Sequence, residues 1–563
     1  MFFSPVTSRS FRIRSLYLCF YILLALGAIT MVIPFAIMLG GSVEPGRRIS
    51  DSGLLPRYLY DDEVLWSRYI QAKYRNKNDI LRMAWNDASA NFEHLAKLPA
   101  KIDGLELWQE WVGSRSWPEQ LFGLGFSDVT IATPYYYNRQ FQRWLADRYQ
   151  TIDALNSKLD TTFKSFNAVR PPNLSITGAA LPETPFVEEY FAFCQTTPAA
   201  HRYAWDAGGY YRAIFLPRTI GPEIADYNRK FGTSYLSYAE VPFPAEVPQE
   251  AAESWMLYVT KLLRPEFIEF TSQGQARFAA SGVSKGDFIR TLAESGDLKV
   301  VSPDRLFAEW AEWTHGLKDE RIPQYQIDGA AFQREKSFWR GVFVVQNYQY
   351  VIDEIFINGR AMKNTAILVA LMILGTLTVN PLAAYALSRF KLKQSYYILL
   401  FFLATISFPA EVTMIPVFLQ LKELNLLNTF GALVLPSLAN GFAIFLLKGF
   451  FDNLPKELYE AAELDGASEW RMFWLIAMNL SKPILAVNVL SAFVAAYGAF
   501  FYALILAPDP KIWTIMVYIY QLQQVADPPV VYASLIIVAI PTLLIFIFCQ
   551  NIILRGIVVP SEK

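Results

Sequence analysis

LPKELYEAAELDGASEWRMFWLIAMNLSKP, Leu454 to Pro483, is a charged, helix-favouring stretch set between apolar runs too hydrophobic for ordinary soluble helices. Leu458, Ala461, Ala462 and Leu464 give a first short helix an apolar face, Asp465-Gly466 breaks it, and Trp470, Phe473, Trp474 and Ile476 give a second helix a face of its own. The pattern predicts two short amphipathic helices meeting at a glycine corner. Such an element can lie across a membrane surface and offer a knob to a groove in a soluble partner.

Outward from this stretch, the apolar runs are Ala366 to Leu387, Tyr396 to Leu419 and Phe430 to Leu447 before it, and Ile484 to Leu506 and Val530 to Ile553 after it. With Leu16 to Leu39 near the N-terminus they make six. That first run exceeds the ~7 to 15 apolar residues of a signal peptide and has no A-x-A-like exit, so a retained transmembrane helix is expected. Arg9, Arg12 and Arg14 precede it; Arg389, Lys391 and Lys393 follow the second run, Lys448, Lys456, Arg471 and Lys482 the fourth, and Arg555 the sixth. The positive-inside rule puts all of these on one side. Both termini and the Glu460 loop are then cytoplasmic, in a multi-pass protein of the cytoplasmic (inner) cell membrane.

Between the first and second runs the chain is polar, aromatic and punctuated by proline, with nothing long enough to cross a bilayer. Its Trp, Tyr, Leu and Phe content is too high for disorder, and its length allows one large or two smaller folded units. The expected layout is 1–40 for the cytoplasmic N-terminus and first helix, 41–360 for an extracytoplasmic insert, and 361–563 for a five-helix core carrying the 454–483 loop. The fold class is an α-helical polytopic membrane protein with a mixed, mostly helical domain inserted between helices one and two.

Inside the insert, Leu155 to Pro172 and Tyr227 to Pro244 align without gaps: Asn156 with Asn228, Lys158 with Lys230, Thr161 with Thr233, Phe163 with Tyr235, Val169 with Val241 and Pro172 with Pro244. This predicts a duplicated unit of helix, turn and extended exit. The first copy and its lead-in, FQRWLADRYQTIDALN, resemble helices of β-galactosidase-type glycoside hydrolases. Retaining glycosidases need two carboxylates about 5 to 5.5 Å apart, and the sequence nominates no such pair. The tryptophans and tyrosines either stack on sugar rings or fill a core.

Composition narrows the function classes. Of 563 residues, 53% are hydrophobic and only 18% charged, as for a membrane protein diluted by soluble sequence. Basic and acidic residues, 50 and 51, are balanced, which leaves no electrostatic footprint for nucleic acid. Cys19, Cys194 and Cys549 form no disulfide framework, and His94, His201 and His315 are too scattered to suggest a metal site. No G-x-x-x-x-G-K-[S/T] phosphate loop occurs, so the chain is expected to hydrolyse no ATP and to be no enzyme.

The opening stretch resembles the signature of the membrane subunits of binding-protein-dependent ABC importers: E-A-A-x-x-x-G, nine residues, then I-x-L-P. Glu460, Ala461, Ala462, Gly466 and Ile476 match, and Asp465 and Ala467 complete the usual D-G-A. Met478-Asn479 departs from the family's Leu-Pro, whereas Pro483 matches the next expected proline. AAYALSRF (383–390), FPAEVTMIPVFLQLKELNLLNT (408–429) and FAIFLLKGFFDNLPKELYEAAELDGAS (442–468) resemble the carbohydrate branch, in particular maltose-permease G-type subunits. The resemblance implies a type I importer permease fold of six transmembrane helices, and a loop that docks into the cleft of an ATPase. It also implies partners: an ABC ATPase dimer that hydrolyses ATP, a second permease subunit, and an extracytoplasmic solute-binding protein contacting outer loops such as Lys511 to Asp527. The implied substrate is a carbohydrate, carried through the lipid bilayer by alternating access, with no cofactor bound by this chain. Where the family often has Trp-Asn in the fifth helix this chain has Tyr497-Gly498, so these two residues are candidates for the substrate path. Glu411, between Pro409 and Pro416, either lines that path or gate or reaches interfacial water. The alternative function is a membrane-anchored glycan-binding or glycan-cleaving receptor that uses the insert.

Overall fold

The structure is a computed structural model that describes residues 11–45, 55–100, 104–114, 117–129, 134–292, 297–317, 321–357, 359–390, 393–406 and 409–556. It divides into two compact units between Asn347 and Tyr348.

The first unit opens with the helix Phe11–Ser42, of which Tyr17–Ser42 is long and apolar enough to cross a membrane. A largely helical region comes next, with two small antiparallel ribbons among its described residues. β1 (Phe122–Leu124) pairs with β2 (Arg202–Ala204), and β3 (Ile268–Phe270) with β4 (Leu298–Val300). One hydrophobic core runs from Tyr58 to Phe343 and is filled by large rings, Trp108, Trp111, Trp255 and Trp339 among them. Most of the aromatic richness is therefore packing.

The region's two ends are tied together. Asn347 Nδ2 donates to the carbonyls of Ser42 and Glu44 at 2.8 and 2.9 Å. The helix Asp62–Lys73, started by an Asp61 side chain that accepts from Glu63 N and Val64 N, meets the helix Gln324–Ile352 through a buried Lys73–Asp328 ion pair at 2.8 Å. Two buried charges lose hydration on folding, so a pair here needs further hydrogen bonds to be tolerated. It has them: Lys73 also donates to Ala200 O, and Asp328 accepts from Tyr74, Trp85 and Gln324.

The duplicated unit has matching hydrogen bonds in its two copies. Asn156 Oδ1 accepts from Thr161 Oγ1 and Phe163 N while its Nδ2 donates to Phe163 O; Asn228 does the same with Thr233 and Tyr235. Each asparagine latches the exit chain to its helix, whose C-cap is left-handed at Asp160 or Gly232. Val169 and Val241 are buried beyond the turn. Asn228→Ala removes three hydrogen bonds and is expected to cost about 1–3 kcal/mol. The check is thermal unfolding of the full chain, with Asn156→Ala predicted to match it in size.

In the second unit, the helices Ala361–Arg389 and Pro528–Gln550 are each long and apolar enough to cross a membrane. The other apolar runs are interrupted. The helix Ser395–Ile406 precedes Pro409, which stands at the start of Ala410–Glu423; proline lacks an N–H and disfavours helix at the residue before it. Phe430–Ser437 and Gly441–Asp452 meet at a 48° bend, where the Asn440 side chain accepts from Ala443 N and restarts the helix. A side chain at Gly441 would lie 2.7 Å from Phe402 O, so only glycine permits that approach. Lys482–Tyr497 stops at Gly498, and Phe501–Leu506 lies beyond it. By length and composition, the described residues hold three spans, or up to five if each bent pair is one. Ala361–Arg389 packs most extensively on Gly441–Asp452 and Lys482–Tyr497.

Candidate functional site

The 454–483 stretch folds as a corner. The helix Lys456–Leu464 ends where Ala467 N donates to Ala462 O at 2.9 Å and Gly466 N to Glu463 O at 3.0 Å, with Gly466 at φ +76°. This is the Schellman arrangement, in which the residue past the helix end is left-handed and the last carbonyls are satisfied. No heavy atom stands within 4 Å of where a Gly466 Cβ would be, so the requirement is on the backbone, not on space. Ser468 then caps the next helix, its Oγ accepting from Arg471 N.

The buried faces differ from those the sequence suggests. On the first helix Tyr459 packs inward and Ala462 is half-buried, while Leu464 is 90% exposed and Leu458 is also exposed. On the second arm Met472, Phe473 and Ala477 are buried, Ile476 is half-buried, and Trp470, Trp474 and Leu475 face outward. Part of the difference on the second arm comes from a wider turn over Phe473–Ala477, which inserts a residue into the helical repeat and rotates the residues that follow. Glu457, Glu460, Ala461 and Leu464, spaced i, i+3, i+4, i+7, form the outer ridge of the first helix, and Asp465 and Gly466 are exposed at its tip. Helix continues through Met478–Leu480, and the chain then turns by 81° into Lys482–Tyr497, with Pro483 in its first turn.

Arg389, in the last turn of Ala361–Arg389, holds both arms. It pairs with Glu463 on one and lies 3.5 Å from Glu469 on the other, and its guanidinium sits 5.1 Å from the centre of the Tyr459 ring. Tyr385, one turn earlier, donates to Glu469 at 2.8 Å and packs edge-on against Phe473. Both arms of the corner are therefore tied to the central helix of this unit.

The same helix borders a cavity of about 490 Å³ whose polar lining includes Thr376, Asn380, Ser437, Asn440, Asn488 and Ser491. Asn380 Oδ1 accepts from Asn440 N at 2.9 Å, which fixes the amide and leaves its buried Nδ2 with no partner among the described residues; Asn488 Nδ2 is in the same state. Two unsatisfied amide donors in an otherwise apolar bundle suit a ligand that brings acceptors. Gly498 lines the cavity. Tyr497 turns into the core, its hydroxyl donating to Val538 O at 2.8 Å and its ring stacked on Phe493. The Glu411 side chain lies outside the described residues. Asn380 and Asn488 were not singled out from the sequence, although a carboxamide inside an apolar run of membrane-spanning length is the signal that marks them.

Residues 364–559 match the family described as binding-protein-dependent transport system inner membrane component. Among curated proteins, the chain is 30% identical over 247 residues to the sn-glycerol-3-phosphate transport system permease protein UgpE of Yersinia pestis bv. Antiqua (strain Antiqua), covering 42% of this chain and 87% of that one. It is 30% identical over 250 residues to Protein LplC of Bacillus subtilis (strain 168), covering 41% and 83%. Among solved structures, a bacterial ABC transporter involved in the import of the acidic polysaccharide alginate is 23% identical, with a TM-score of 0.34 over 36% of this chain and 78% of that one, an overlap too loose to argue from.

Proposed function

The chain belongs to the family of binding-protein-dependent transport system inner membrane components, and from that premise we propose that it is one permease subunit of an ATP-driven carbohydrate importer. The observation that carries the coupling role is the corner at Gly466: an outward ridge of Glu460, Ala461 and Leu464, with Asp465 and Ala467 at the turn and Ile476 behind it, held to the central helix by Arg389. Ala461 and Ala462 keep the helix thin enough to enter a cleft, and Glu460 supplies a charge for a basic residue of the partner ATPase dimer. That dimer binds and hydrolyses the ATP. Its closure pushes the corner, and the attached helices rock between inward- and outward-open arrangements.

In this reading six helices cross the cytoplasmic membrane, the three interrupted runs among them, with both termini cytoplasmic and residues 41–360 outside. A second permease subunit completes the path, and a solute-binding protein delivers the sugar. The cavity beside Asn380, Asn488 and Gly498 forms this subunit's part of the path, and its free amide donors suit the oxygens of a carbohydrate. The carbohydrate assignment draws further support from the branch-type phrases at 383–390, 408–429 and 442–468.

Site-directed crosslinking tests the docking. Cysteine at Ala461 should crosslink to the ATPase subunit in the assembled complex, while cysteine at Ala477, which is fully buried, should not. Equal labelling at both positions, or at neither, would remove the ridge from the interface.

Arg389→Gln is predicted to separate docking from transport. The ridge is intact in this variant, so the ATPase stays bound, but about 1–3 kcal/mol of charge-assisted contact to the two arms is lost. The ATP hydrolysed per substrate imported should rise several-fold, as measured in proteoliposomes.

A further inference from the structure

A cavity of about 190 Å³ lies within the Met1–Asn347 unit, walled by Trp85, Asn86, Asp206, Asp304, Arg321 and Gln324. At ~30 Å³ per water this is room for roughly six, which suits one ring and no chain. Its walls are held from behind. Asp328 accepts from Trp85 Nε1 at 2.9 Å and from Gln324 Nε2 at 2.7 Å. Arg212 stands between the two acids, with Nη2 3.5 Å from Asp206 Oδ2 and 3.7 Å from Asp304 Oδ2, and its Nε donates to Asn86 Oδ1 at 2.8 Å. Asp206 Oδ1 takes the Gly208 N–H, and Asp304 Oδ1 the Ile322 N–H.

One atom in this arrangement lacks a partner. Gln324 is 2% exposed, its Nε2 is committed to Asp328, and its Oε1 has no donor among the described residues. A buried polar atom left so is costly, and because Gln324 lines the cavity, a hydroxyl or N–H brought within reach of Oε1 would satisfy it. The charges balance, Asp206 and Asp304 against Arg212 and Arg321, so the cavity selects neither an anion nor a cation; Arg321 Nε lies 3.8 Å from Asp304 Oδ2. Burial and the neighbouring Asp206 push the Asp304 carboxyl up, against the pull of Arg212. Preset acceptors, a guanidinium donor and an indole wall around a ring-sized volume together fit a neutral ring bearing several hydroxyls.

We propose that this cavity binds a single neutral sugar residue, with Gln324 Oε1 accepting from one ring hydroxyl and Asp206, Asp304 and Arg321 engaging others. The choice of a sugar over another neutral polyol rests on the carbohydrate-import reading above. The site is separate in sequence from the Asn380–Asn488 cavity and serves capture, since every recognition residue lies in the first unit.

The test is calorimetric titration of the full chain in nanodiscs with the methyl glycosides of glucose, galactose and mannose. The expected result is saturable binding of at least one, weakened at least tenfold by Gln324→Leu. Arg321→Met, at a side chain 44% exposed and so tolerant of change, should weaken it several-fold with an unaltered melting temperature. Binding that both variants leave intact, or no binding of any of the three glycosides, would overturn the proposal. Gln324-dependent binding in a chain whose assembled complex imports no carbohydrate would sink the transport reading and leave this site standing. Carbohydrate uptake with no such dependence would do the reverse.

Discussion

Gly466→Val is expected to cut ATP-driven uptake by the assembled importer at least tenfold while the chain still reaches the membrane. The reason is local. Gly466 sits at φ +76°, and an L-residue there costs about 1–2 kcal/mol, more when its Cβ is branched. Since nothing crowds the position, the penalty is conformational, and substitutions should rank by their tolerance of the left-handed region: asparagine nearest to wild type, alanine lower, valine lowest. The backbone can escape the strain only by abandoning the hydrogen bonds from Gly466 to Glu463 and from Ala467 to Ala462, which aim the second arm. Initial uptake rates in proteoliposomes for the three variants would show the order. A valine variant that transports normally would mean that the corner's geometry does not matter.

Glu460→Lys should have the larger effect on assembly. Glu460 is exposed on the ridge of the Lys456–Leu464 helix, away from the Tyr459 face that packs on Tyr385 and Arg389, so its replacement leaves the subunit's own fold undisturbed. In the docking proposed above it forms one half of a desolvated charge pair, and breaking such a pair costs about 2–5 kcal/mol, or roughly thirty- to several-thousand-fold in docking. The reversed charge adds repulsion. Co-purification of the ATPase with the permease should fall to background for lysine and partially for glutamine. An ATPase that co-purifies with the lysine variant as it does with wild type would exclude Glu460 from the interface.

Much of this corner is legible in the sequence, because its cause is short-range. A helix-favouring run, then Asp-Gly-Ala, encodes a left-handed cap whatever surrounds it. Which side chains turn inward is not legible, because that depends on Arg389 and Tyr385, whose contacts span 74 and 84 residues of chain, and on the wide turn at Phe473–Ala477 that resets the phase. The apolar runs show a similar split. Ala361–Arg389 and Pro528–Gln550 are continuous helices as hydropathy suggests, but Tyr396 to Leu419, Phe430 to Leu447 and Ile484 to Leu506 are interrupted at Pro409, Asn440-Gly441 and Gly498, since composition averages over residues that break a helix. In the first unit the duplicated latch is visible because Asn156 and Asn228 act within seven residues of themselves. The cavity of Trp85, Asp206, Asp304 and Gln324 is invisible to any local pattern, since folding alone brings its walls together.

The most direct measurement of the central claim is uptake of labelled carbohydrates into proteoliposomes holding this chain with its ATPase, second permease subunit and binding protein, with ATP supplied to the ATPase side. At least one carbohydrate is predicted to accumulate only when ATP is present, and Gly466→Val to lower the uptake at least tenfold. Uptake by the valine variant at the wild-type rate, or ATP hydrolysis stimulated by the binding protein with no carbohydrate moved, would contradict the claim.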